Sequence, residues 1–156
     1  MTDQVRVCFA LEQDAEGWPP VAVERMWATT TQRDNVVVLD NIPFFVRGVA
    51  CFDVVAVNQD EAGVFWAEKT IRWSGNCTIR VIPFRSGPLH GDRQAVLDAF
   101  APLGVEGEGV EQYGMVALNV PADADLVAVK RLLREGEEDK RWAYEEGCVG
   151  DAWEEA

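Results

Sequence analysis

The chain has 156 residues, 48% of them hydrophobic and 26% charged, a composition that folds, and its formal net charge is −13. That charge repels phosphates and anionic lipid surfaces, which excludes nucleic acid and membrane as expected partners. No apolar run approaches the roughly 20 residues needed to span a bilayer, and the opening MTDQVRVCFA lacks the basic segment and apolar core of a signal peptide, so a cytoplasmic location is expected.

The first half reads as strands. Val5–Leu11 is β-prone, and Gly17-Trp-Pro-Pro20 breaks the chain before the next run. Val21–Thr31 and Asn35–Leu39 come next, and Pro43 in Asp40–Phe45 marks an edge or a bend. Asp53–Val57 and Val64–Trp73 complete the set, separated by the polar turn Asn58–Gly63. Short strands at this spacing, in about 70 residues, predict a small β-barrel.

The second half changes period. Thr78–Phe84 alternates as a strand. Val96, Leu97, Phe100 and Leu103 fall at helical spacing behind Asp92 as N-cap, with Pro102 and Gly104 ending the helix. Val105–Gln112 and Tyr113–Val120 read as strands. Leu126, Val129, Leu132 and Leu133 mark a second helix after the capping cluster Pro121–Asp125, and Trp142–Val149 reads as a last strand. The order β-α-β-β-α-β predicts a ferredoxin-like βαββαβ domain. The expected class is therefore α+β: a small β-barrel over residues 1–75, the ferredoxin-like domain over 76–150, and a frayed acidic tail over 151–156.

Three pieces, Glu24-Arg-Met-Trp-Ala28, Asp40–Val57 (DNIPFFVRGVACFDVVAV) and Ser74–Val81 (SGNCTIRV), carry a resemblance. The chain resembles a bacterial family of unknown function, numbered 4265 among domains of unknown function. The resemblance implies a shared fold and a bacterial setting, and no reaction. It also implies Ser-Gly-His more often than Ser-Gly-Asn in the third piece, so Asn76 stands where a histidine ligand or base would be.

Candidate chemistry is thin. Cys8, Cys51, Cys77 and Cys148 are scattered and His90 is the single histidine, so no metal site is expected, the thiols are expected to be reduced, and no cofactor is implied. A Cys77–His90 pair needs the 87–91 loop to fold back along a strand of roughly 23 Å, and a packed Cys77 opening that strand is the simpler expectation. Arg72 and Arg80 lie among Trp66, Trp73 and Phe84, but an RNA-recognition signature is absent, and Gly104, Gly107 and Gly109 lack the Lys-Ser/Thr of a phosphate loop.

The binding candidates are Glu24, Trp27, Arg47, Asp53, Ser74 and Arg80. Asp53 has a turn residue as its alternative role, and Glu24 an ion pair with Arg47 or Arg80. The charge is uneven: through Ser86 there are 8 basic and 11 acidic side chains, and from Gly87 onward 6 and 16. Glu135, Glu137, Glu138, Asp139, Glu145 and Glu146 form the expected partner-facing surface, which suits a basic protein. The expected function is a non-enzymatic binding protein, immunity- or inhibitor-like. A sensor of amino-acid-like small molecules is the alternative, and a Cys- or Asp-dependent enzyme comes third.

Overall fold

The computed structural model describes residues 3–156. Nine strands and three α-helices divide between two units, the first ending at Ser74 and the second running Gly75–Ala156.

In the first unit β1 (Gln4–Ala10), β2 (Val23–Thr30), β3 (Val36–Leu39), β4 (Val54–Gln59) and β5 (Phe65–Arg72) form one ladder, antiparallel at every step from β1 to β5. β1 then meets β5 in parallel over Val7–Phe65 and Cys8–Trp66, which brings the two ends of the ladder together. β-branched residues build this sheet because their stiff side chains suit a pleated surface. Alternation puts Val7, Phe9, Met26, Ala28, Val37 and Leu39 in the core. Residues between β3 and β4 are irregular and form a long loop, where Pro43 removes a backbone donor.

In the second unit β6 (Cys77–Pro83), β7 (Glu106–Val110), β8 (Met115–Val120) and β9 (Trp142–Cys148) form an antiparallel sheet in the order β7-β8-β6-β9. Helix α1 (Arg93–Phe100) is capped by Asp92, whose carboxylate accepts from the N–H groups of Gln94 and Ala95 at 2.9 and 3.3 Å. Helix α2 (Leu126–Glu138) is capped by Asp125 in the same way, through Ala128 at 3.1 Å. Val96, Phe100, Val129 and Leu133 deliver the helices' apolar faces to a core that also holds Ile79, Val81, Leu118 and Trp142. The Trp142 indole N–H donates to the carbonyl of Leu133 at 3.1 Å, and its ring lies so close to Gly136 that a Cβ there would come within 2.1 Å.

The expected α+β class, a small β-barrel followed by a ferredoxin-like βαββαβ domain, is corrected. The chain is mostly β-sheet, two antiparallel sheets of five and four strands with about 21% of its residues helical. The second unit is described by its four-stranded sheet, with helices of only eight and thirteen residues and a further helix the expected pattern lacks. Helix α1 stops at Phe100 and passes into a 3₁₀ turn over Ala101–Leu103 that holds Pro102 and closes on Gly104 at φ +74°, the ending expected from Pro102 and Gly104.

The acidic tail is corrected as well. Residues Asp151–Glu155 form helix α3, and Trp153 is 1% exposed, packed into the core of the second unit. Its indole N–H donates to the carboxylate of Glu146, and the Lys130 ammonium donates to the carbonyls of Trp153 and Ala156 at 2.8 and 3.1 Å. Among the described residues no helix is long and apolar enough to cross a membrane.

Candidate functional site

Two buried carboxylates hold the loop between β3 and β4. Glu24, an inward-facing residue of β2, accepts the backbone N–H groups of Phe44, Phe45 and Val46 at 2.6, 2.9 and 2.8 Å. A loop that turns over apolar surface leaves its amides without strand partners, and one carboxylate satisfies three of them. Asp53 is fully buried and accepts from Ala50 at 3.0 Å and from Ser74 at 2.8 Å. It ties the end of the loop to the end of β5. Both acids are thus committed to backbone amides. Each such charge-assisted bond contributes about 1.5–3 kcal/mol, so the loop is a rigid part of the first unit.

The loop carries Arg47 exposed, beside Gly48 at φ +78°. Trp27 projects from the outer face of β2, paired across from Arg6, whose guanidinium sits 4.7 Å from the ring centroid. Its backbone N–H donates to the Asn41 side chain at 2.6 Å, a further tether of the loop. Glu24, Trp27, Arg47, Asp53 and Ser74 therefore belong to one structural neighbourhood, the loop and its anchors in the first unit.

Arg80 belongs to the second unit. It is 2% exposed on β6, and its guanidinium contacts Glu145 of β9 at 3.1 Å. Gly147 leaves the space it occupies, since a Cβ there would come within 2.5 Å of the guanidinium. Glu145 is therefore a structural partner of Arg80, and Glu146 of Trp153. Of the acidic residues, Glu135, Glu137, Glu138 and Asp139 are exposed at the end of α2, Asp139 3.5 Å from the Arg141 guanidinium, while on β9 Glu145 is half-buried and Glu146 exposed.

Cys77 opens β6, buried, and burial pushes its thiol above the ordinary range. A backbone hydrogen bond from Gly150 works against that shift, and the Glu146 carboxylate adds to it. The 84–91 segment closes back on the other end of β6, where the N–H of Gly91 donates to the carbonyl of Phe84. Cys77 and His90 therefore lie at opposite ends of a seven-residue strand, and the sequence pairing of nucleophile and base is not formed.

Phe52 was not singled out by sequence. It adopts φ +70°, a left-handed conformation disfavoured for a bulky residue, and its ring is 53% exposed. Its N–H donates to Leu39 at 2.9 Å while the N–H of Asp53 closes a turn onto Ala50 at 3.1 Å, and this turn forces the conformation. Only the Phe-Asp step before a β run hinted at it.

No curated protein matches the chain. A solved structure is similar to it, the novel crystal structure of a hypothetical protein from Neisseria gonorrhoeae, with a TM-score of 0.73 and 19% identity over 96% of this chain and 97% of that one. That likeness is of fold alone. The family model for the Domain of unknown function (DUF4265) matches residues 24–144, from the Glu24 anchor to β9, and the chain belongs to this family.

Proposed function

We propose that the chain is a non-enzymatic cytosolic binding protein whose acidic second unit engages a basic protein, in the manner of an inhibitor or immunity protein. The observation that carries this reading is the end of α2. A helix C-terminus bears partial negative charge and favours cations, yet Glu135, Glu137 and Glu138 crowd it, exposed, with no basic residue in the last turn, and Asp139 follows them with its carboxylate 3.5 Å from the Arg141 guanidinium. Each acid there works against the helix by about 0.3–1 kcal/mol. Local stability disfavours them, and attraction of a cationic surface favours them. With 16 acidic and 6 basic side chains from Gly87 onward, the field accelerates encounter with such a partner.

The test is recovery from the native host of tagged wild type beside a variant carrying Glu135→Gln, Glu137→Gln, Glu138→Gln and Asp139→Asn. Wild type should retain a stoichiometric basic protein at low salt and release it as ionic strength rises; the variant should fail to retain it. Equal retention by the variant would remove the end of α2 from the interface. Recovery of no stoichiometric partner at any salt would overturn the whole reading.

A further inference from the structure

We infer that the outer face of β1 and β2 forms a binding groove for a small carboxylate carried on an apolar body. The groove is shallow and open to solvent, about 610 Å³ in volume, and is lined by Val5, Arg6, Cys8, Arg25, Val64 and Phe65. Strand alternation sets which side chains border it. Val7 and Phe9 point into the core of the first unit, so Cys8 between them points outward, yet Cys8 is only 4% exposed. An outward residue of a two-faced sheet is shielded to that degree only where neighbouring side chains rise around it. Here Arg25 stands directly across the ladder from Cys8, and the segment entering β5 forms the other wall.

That wall is held in place. Gly63, at φ +83°, lies on the groove lining in a tight turn that Asp60 organises by accepting the N–H groups of Ala62 and Val64, each at 2.9 Å, and the indole N–H of Trp66 at 3.0 Å. The Trp66 bond, first among these contacts, lowers the Asp60 carboxyl below its usual value of 3.8, so the turn is intact throughout the neutral range. A preformed, partly apolar cleft with few polar groups is the usual form of a small-molecule site.

The charge on the lining decides the ligand. Two guanidinium groups border the groove and no carboxylate does, in a chain of net charge −13. Arg25 makes no hydrogen bond or ion pair among the described residues, and Arg6 is held at the edge by its stack on Trp27. A guanidinium fork matches a carboxylate in two parallel hydrogen bonds. The overall negative field repels polyanions at a distance, so short-range recognition here favours a single negative charge over a nucleic acid strand. Val64, 37% exposed, supplies apolar wall for the remainder of the molecule, while Val5 and Phe65 border the groove with side chains packed on the core.

The experiment titrates the full chain with straight-chain carboxylates from acetate to dodecanoate and with phenylacetate, beside the matching neutral amides, and follows backbone amide resonances. Saturable shifts at Arg6, Arg25, Val64 and Phe65 are expected, growing with chain length and weakened about tenfold or more for the amides, as loss of a charge-assisted bond requires. Arg25→Gln should weaken binding by a similar factor with an unchanged unfolding midpoint, because Arg25 is exposed. Arg25→Lys should recover it only in part. Equal binding of acid and amide, shifts confined to other residues, or no shift with any carboxylate at millimolar concentration would each overturn the assignment. These outcomes do not depend on whether a basic partner binds the second unit.

Discussion

Phe52 presents a physical conflict at a single position. A non-glycine residue at φ +70° sacrifices about 1–2 kcal/mol of backbone energy, and the ring that accompanies it stays half in water, where burial returns little. Phe52→Gly should therefore stabilise the protein by about 1 kcal/mol and raise the thermal midpoint by a few degrees, read by calorimetry at matched concentration. A lower midpoint would mean that the ring stabilises the fold. Glu24 and Asp53 show what sequence can and cannot convey at this scale. Their presence in apolar strand context marks them as unusual. Their role depends on where the amides of residues 44–46 and of Ser74 fall, which is set by a loop some twenty positions away. No pattern of neighbouring residues encodes that placement.

Elements with many β-branched residues were readable, as Val36-Val-Val-Leu39 and the run through Val57 illustrate. The helix caps Asp92 and Asp125 were readable too, because an N-cap acts within three residues of itself. Helix α3 was not. Five residues complete little more than one turn, too few to display a period, and its acids resemble a fraying end. The helix exists because tertiary packing of Trp153 supports it, with Lys130 and Glu146 satisfying its polar edges. Trp153→Ala should accordingly destabilise the second unit by about 3–5 kcal/mol, measured by urea unfolding. A change below about 1 kcal/mol would show that α3 only rests on the surface.

For the whole molecule, composition conveyed the charge and its asymmetry, while the layer architecture depended on contacts that composition does not contain. The expected barrel and ferredoxin-like unit gave way to a mostly β chain because strand pairing, including the two-pair junction of β1 with β5, is decided by long-range register. Stability should also carry a signature at high pH. Burial raises the Cys77 thiol above its reference value of 9.0, so in the unfolded chain this group ionises first. Its contribution is fully present below about pH 9 and falls as pH rises toward the folded-state value. Urea midpoints should decline more steeply above pH 9 for wild type than for Cys77→Ala, and parallel declines would refute the linkage.

The meeting of Gly136 and Trp142 has a consequence for how the family can diversify. Glycine in a helix interior is disfavoured by about 1 kcal/mol, so drift toward alanine should be common in exposed helices. Here the indole occupies the volume that a methyl group would need. The two positions are bound to change together: a lineage that keeps tryptophan must keep glycine, and only one that first shrinks the ring gains the freedom to fill position 136.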